Sequence, residues 1–290
     1  MSGYPQQQDG ETVSAMNATS NRRILQLRDI RKIFARNTID EVTALGGIDL
    51  DIHDQDFVTI IGSNGAGKTT LLNVIAGVYP PERGGKILVN GKDITNLSEP
   101  GHAQYTARVY QDPHVGTAAK MTVEENLSLA LLRGQSRGLR SAINKKRKQL
   151  FRETLASLEL GLEDRLSTAV GTLSGGQRQA LALVMATISN PAILLLDEHI
   201  ATLDPKTAET VLQLTDLVVH REQMTTLMVT HNMEMALRYG NRLIMMHSGK
   251  IVVDMDEADK AMLTISDLVS AFERAAGEQF KDDTLLLRNN

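Results

Sequence analysis

The densest chemistry in the sequence lies in Gly62-Ser63-Asn64-Gly65-Ala66-Gly67-Lys68-Thr69-Thr70. A Gly-x4-Gly-Lys-Thr spacing is that of a phosphate-binding loop. Its glycines let the backbone curl so that successive N–H groups point at phosphate oxygens, and the start of a following helix adds partial positive charge. Lys68 can reach the β- and γ-phosphates and the Thr69 hydroxyl can ligate Mg2+. The alternative is a glycine-rich turn with no ligand. A second group, Ile193-Leu-Leu-Leu-Asp197-Glu198, is an apolar strand ending in two acids. Asp197 is placed to hold a magnesium water shell, and Glu198 to polarise an attacking water. A third, Leu173-Ser174-Gly175-Gly176-Gln177, pairs a helix-capping serine with two glycines that leave backbone N–H groups open. It reads as a second phosphate cradle. One site does not need two, whereas two copies of the chain facing head to tail would use both.

These groups need elements to position them. Phe57-Val-Thr-Ile-Ile61 is a continuous apolar, β-branched run, as expected of a strand covered on both faces, and it feeds directly into the glycine loop. Leu71–Ala76 continues as helix, with Gly77 as its stop. Ile48, Leu50 and Ile52 alternate with Asp49 and Asp51, the period of a half-buried strand. Asn90-Gly91 and Ser248-Gly249 read as hairpin turns. Residues 112–190 carry helical patterns over Val123–Leu132, Asn144–Leu158 and Gln177–Ile188, read as a helical subdomain inserted into an α/β core. After Pro191 strands and helices alternate, which predicts a largely parallel sheet. Thr264–Phe272 reads as a final helix capped by Thr264. The predicted fold class is therefore α/β: a P-loop NTPase core with a largely parallel sheet, an antiparallel β subdomain and an inserted helical subdomain. Residues 1–22 are expected to be a disordered tail, 23–272 the ATPase domain and 273–290 an extension.

Composition narrows the function classes. Of 290 residues, 42% are hydrophobic and 23% charged, which excludes a disordered or fibrous chain. The absence of cysteine excludes thiolate metal sites and a cysteine nucleophile. A net charge of −4 offers no global basic field for nucleic acid. No apolar run is long enough to span a bilayer, and the polar first twenty residues are not a signal peptide. The one marked charge run, Arg133 to Arg152, holds eight Lys/Arg and no acid. It reads as a solvated helix face, with contact to anionic headgroups as the sharper alternative.

Taken together these motifs resemble the ATP-binding cassette (ABC) ATPase family, from about residue 24 to about residue 270. They stand in the family's order: phosphate loop, Gln111, signature, Asp197-Glu198, Asp204 in Ala201-Thr-Leu-Asp204, and His231 after Leu227-Met-Val-Thr230. The resemblance implies an ATPase using ATP and Mg2+, with Thr69, Gln111 and Asp197 on the metal. It implies that Gln111 senses γ-phosphate and borders a transmembrane partner, that His231 orients the attacking water, and that Asp204 crosses a dimer interface. Phe34 stands where the family places an adenine-stacking aromatic, the alternative being a core residue. A narrower resemblance, carried by Tyr110–Thr117, Met121–Asn126 and Thr226–Asn232, is to ATPases of bacterial binding-protein-dependent importers of the tryptophan/tyrosine uptake type. It implies a homodimer, peripheral on the cytoplasmic face of the inner membrane, serving permease subunits and, indirectly, a substrate-binding protein, with no nucleic acid. A soluble ABC protein acting on DNA or ribosomes and the ATPase of an exporter stay open as alternatives. Three positions depart from the family pattern: Gln55 where Gly is usual, Ile200 where a small polar residue is common, and Thr202 where Ala is usual.

Overall fold

A computed structural model describes residues 22–133 and 144–276. The strands are β1 (Arg23–Phe34), β2 (Val42–His53), β3 (Phe57–Gly62), β4 (Lys86–Val89), β5 (Lys92–Asp93), β6 (Thr106–Val109), β7 (Ile193–Asp197), β8 (Thr226–Val229), β9 (Arg242–His247) and β10 (Lys250–Met255). The α-helices are α1 (Lys68–Ile75), α2 (Glu99–His102), α3 (Pro113–Gly116), α4 (Val123–Leu131), α5 (Lys145–Ala156), α6 (Gly175–Thr187), α7 (Pro205–Arg221), α8 (Met233–Arg238), α9 (Glu257–Ala261) and α10 (Ile265–Ala276).

Two sheets result. A six-stranded sheet runs β10-β9-β3-β8-β7-β6, parallel throughout except for the β9–β10 hairpin. An antiparallel sheet runs β2-β1-β4-β5. The period-2 side-chain rule sorts the continuous apolar strands between two cores. In β7, Ile193 and Leu195 join α1 and the antiparallel sheet, while Leu194 and Leu196 join the helical side built from α4, α5 and α6. A third cluster seats Leu268, Val269 and Phe272 of α10 on β9 and α8. The methionine-rich pieces are core: Met224, Met228, Met245 and Met246 are all buried.

The hydrogen-bond caps explain the helix starts. Thr122 and Glu125 form a reciprocal capping box at α4, and Ser174 and Gln177 form another at α6. Thr264 accepts from Asp267 N–H at α10 while the Asp267 carboxylate accepts in return. Helix α6 starts at Gly175, two residues before the expected Gln177, because the cap is satisfied from Ser174 and glycine is tolerated in a first turn. The tail before Arg22, residues 134–143 of the basic run and residues 277–290 lie outside the described residues. Among the described residues no helix is long and apolar enough to cross a membrane.

The two sheets meet the phosphate loop at one crowded point. Gly249, in the β9–β10 turn, donates its N–H to Ala66 O and accepts from Gly46 N–H. Both Gly67 (φ +97) and Gly249 (φ +74) press against the Ala44 carbonyl: an added Cβ would lie 2.4 Å and 2.7 Å from it. Gly249→Ala is therefore expected to lower stability by about 1–3 kcal/mol, while Ser248→Gly, which relieves a non-glycine residue at φ 45 in the same turn, loses nothing. Urea unfolding midpoints check the contrast: lowered for Gly249→Ala, unchanged for Ser248→Gly.

Candidate nucleotide site

Strand β3 ends at Gly62 and helix α1 starts at Lys68 with Gly67 as its left-handed cap. The loop between is pinned by Ala66 N–H donating to Ser63 O and Leu71 N–H donating to Gly67 O. Asn64 and Gly65 are exposed at its mouth, as is Ser174 at the start of α6. Lys68 is only 6% exposed. Its ammonium donates to Gly62 O at 2.7 Å and Ser63 O at 3.0 Å. Burial pulls its pKa down, and the charges of Glu198 and Asp197 push it partly back.

The metal-side residues meet it. The Thr69 hydroxyl donates to Asp197 Oδ1 at 3.2 Å, across 128 residues of sequence. Two oxygens, one hydroxyl and one carboxylate, beside a curled backbone loop fit a hard cation that completes its shell from phosphate and water. Parallel pairing places Asp197 of β7 against Val229 of β8, which puts the residues following these strands side by side. Glu198 donates its N–H to Val229 O and adopts φ 46, a left-handed conformation uncommon outside glycine. Its carboxylate lies 3.6 Å from His231 Nδ1. Hydrogen bonding from His231, then the charges of His231 and Lys68, hold the Glu198 pKa below the carboxylate norm against desolvation. The base candidate is thus an anion held beside an imidazole and an ammonium. Behind the pair opens a cavity of about 220 Å³ lined in part by Ala208, Leu212, Met228 and Met235.

The other sequence-marked residues are placed differently. Gln111 is exposed just past β6. Among the described residues no hydrogen bond joins its side chain to Thr69 or Asp197; its carbonyl accepts from the Thr202 hydroxyl at 3.3 Å. The departure at Thr202 thus ties the Ala201–Asp204 turn to the Gln111 loop. Asp204 caps α7, its carboxylate accepting from Thr207 N–H. Gln55 sits at φ 66, the conformation for which glycine is the usual choice. Phe34 is half-buried at the end of β1, edge-on to Tyr79 at 5.2 Å between centroids, with Lys32 over both rings. Tyr79, not singled out from the sequence, makes this an aromatic pair. Leu173 is buried, while the hydrogen bonds of Ser174 and Gln177 stay within the helical region, to each other, Arg165 and Leu160. Among the described residues none joins the phosphate loop. Thr70 follows Thr69 in the first turn of α1. Sequence reasoning also missed Arg108 of β6, whose guanidinium reaches Asp197; the signal was a lone arginine inside the short strand leading to Gln111.

Comparison with known proteins decides the family. The profile of the ABC transporter family matches residues 45–201, more than half of the chain. The chain belongs to the ABC transporter family. With the family comes an ATP-binding, ATP-hydrolysing domain on the α/β P-loop fold. The tyrosine transport ATP-binding protein of Clostridioides difficile (strain R20291) is 45% identical over 252 residues, 87% of this chain and 100% of that protein. The methionine import ATP-binding protein MetN of Latilactobacillus sakei subsp. sakei (strain 23K) is 33% identical over 266 residues, 87% of this chain and 74% of that protein. Among solved structures, the dimeric post-hydrolysis state of the ATP-binding cassette MJ0796 bound to ADP and Pi superposes with a TM-score of 0.69 at 28% identity, covering 81% of this chain and 99% of that one.

One histidine beside the site belongs to the ABC core instead. His199 is fully buried, its Nε2 against the Thr215 hydroxyl at 3.1 Å, and burial lowers its pKa from 6.5 to about 4. The folded state therefore binds the proton less well than the unfolded one. Stability is full above pH 6.5 and falls as pH drops towards 4, by about 3 kcal/mol from this residue. His199→Asn is expected to flatten that acid limb, as read by urea unfolding at pH 7, 6, 5 and 4; an unchanged slope would contradict the assignment.

Proposed function

We propose that this ABC ATPase energises uptake of a small, amino-acid-like solute through a separate permease, working as a homodimer on the cytoplasmic face of the bacterial inner membrane. The observation that carries the ATPase half of this reading is the convergence of Lys68, Thr69, Asp197, Glu198 and His231 at neighbouring strand ends. The direction of transport and the chemistry of the solute rest on the relatives named for tyrosine transport and methionine import. A substrate-binding protein outside the membrane completes the proposed system.

In this reading Lys68 turns from the Gly62 and Ser63 carbonyls to the phosphates, and the N–H groups between Ser63 and Thr70 that the loop does not itself use, Ala66 N–H being bonded to Ser63 O, line them. Thr69 and Asp197, with Gln111, hold Mg2+, which when bound neutralises charge on the phosphate oxygens. Glu198, anionic at neutral pH, accepts a hydrogen bond from the attacking water and aims it in line. His231 fixes that carboxylate and faces the γ-phosphate. Phosphoryl transfer draws mostly on positioning and electrostatics, so an oriented carboxylate suffices even with a low pKa. The partner copy brings Ser174, Gly175 and Gly176 to the far side of the nucleotide, its Asp204 turn lies at the interface, and Phe34 stacks the adenine. Ser174 and Gly175 are exposed, Gly176 is buried behind them, and among the described residues no hydrogen bond ties Ser174 to its own phosphate loop, which leaves the exposed edge of this turn open to a partner copy.

Glu198→Gln is expected to keep ATP binding, accumulate as an ATP-bound dimer on size exclusion, and lose at least about 100-fold in steady-state hydrolysis; an unchanged rate would remove Glu198 from the role. Affinity purification of the tagged chain from detergent-solubilised membranes of its host tests the transport half. A multi-span permease is the expected co-purifying protein, and recovery with ribosomes or DNA factors alone would overturn that half and leave the ATP chemistry standing.

A further inference from the structure

Arg108 is a buried cation in the wrong place for an ordinary surface strand. It lies on β6 in the segment Thr106-Ala-Arg-Val109, and its side chain is 9% exposed. One guanidinium nitrogen meets Asp197 Oδ2 at 2.5 Å. The other donates to Asn73 Oδ1 on α1. The guanidinium carbon lies 4.7 Å from the centre of the Tyr110 ring, and Nε is buried without a hydrogen-bond partner. Three parts of the nucleotide site are thereby bolted to one charge: the helix behind the phosphate loop, the metal-side carboxylate, and the residue before Gln111. A desolvated guanidinium with an unmet donor is costly, and its carboxylate partner among the described residues, Asp197, is what offsets that cost.

That partner is also the carboxylate on which the proposed Mg2+ site depends, so this inference rests on the function proposed above. Thr69 takes one Asp197 oxygen and Arg108 the other. A divalent cation with its water shell approaching Asp197 meets a full positive charge already in contact with that carboxylate. We propose that Arg108 is a positioning residue that acts as an internal counter-cation for Asp197, holding the carboxylate while the metal is away and competing with Mg2+ for it. Asn73 and the Tyr110 ring retain the guanidinium when Asp197 turns to the metal, so the exchange is transmitted along β6 to the Gln111 loop. Arg108 acts through Asp197, and so sets how much the metal adds to nucleotide binding.

The test is isothermal titration calorimetry of ATP against the full chain carrying Glu198→Gln, once in EDTA and once in excess Mg2+. The quantity read is the ratio of the two dissociation constants, which measures how strongly metal and nucleotide favour one another. Arg108→Gln should raise that ratio in favour of the metal by at least about tenfold, the change expected when a unit charge close to a divalent ion is removed even at a dielectric constant near that of water, roughly 80. Arg108→Lys, which keeps the charge but not the fork that spans Asp197 and Asn73, should raise the ratio less than Arg108→Gln does. Asn73→Ala, at a half-buried position, frees the guanidinium to engage Asp197 fully and should lower the ratio, a second reading that does not depend on Arg108→Gln folding. A ratio unchanged or lowered in Arg108→Gln, or raised in Asn73→Ala, overturns the competition. A parent protein that binds ATP no better with Mg2+ than in EDTA overturns the metal-site reading and this inference with it.

Discussion

Lys68 is an ammonium group taken almost entirely out of water, and that constraint organises the site. A buried cation must be met by acceptors and opposite charge or it loses its proton. Two loop carbonyls accept from it, and Glu198 and Asp197 supply the negative potential. Delivering those groups requires β3, β7 and β8 to be neighbours in one parallel sheet and to end at the same level. It also requires a glycine loop able to wrap a group as small as an ammonium or a phosphate.

The same arrangement explains why the antiparallel sheet is more than an accessory layer. Gly67 and Gly249 both press on the Ala44 carbonyl, and Gly249 bonds to Ala66 on one side and Gly46 on the other. The back of the phosphate loop is therefore set by a strand of one sheet and a hairpin turn of the other. On the opposite flank, Arg108 and Gln179 connect the loop helix, the β6 end and α6: Arg108 through Asn73 and Asp197, Gln179 by donating to Tyr110 O. Thr202 closes the circuit by bonding the Gln111 carbonyl. The Lys68 loop helix and the helix that begins after Ser174 are thus joined by side-chain bonds through β6 and β7 within a single copy.

Much of this was legible in sequence because its signals are local. The phosphate loop is contiguous, β7 ends at Asp197 with Glu198 directly after it, and Ser174 and Gln177 sit at capping-box spacing. The hairpin turns at Asn90-Gly91 and Ser248-Gly249 carry their turn type in their residues. What was not legible depends on distant strands meeting. Arg108 is a single charge in a four-residue strand, and only the β6–β7 pairing shows that it faces Asp197. Tyr79 becomes informative only beside Phe34. The left-handed backbones at Glu198 and Gln55 are imposed by neighbours, since neither residue type favours that conformation. Helix ends shifted by one to four residues, the largest shift being at the last helix, which was expected to stop at Phe272 and runs to Ala276.

In the proposed dimer each nucleotide lies between the phosphate loop of one copy and the Ser174-Gly175-Gly176 turn of another. The chain lacks cysteine, so an introduced pair reports without background. Asn64→Cys with Gly175→Cys in the Glu198→Gln protein, oxidised with and without ATP, measures the claim directly, because a disulfide forms only when the two Cα atoms approach within about 7 Å. The proposed arrangement gives a covalent dimer that requires ATP and is absent in either single-cysteine protein. A monomer on non-reducing gels in saturating ATP, or a bridge closed within one chain, would contradict it.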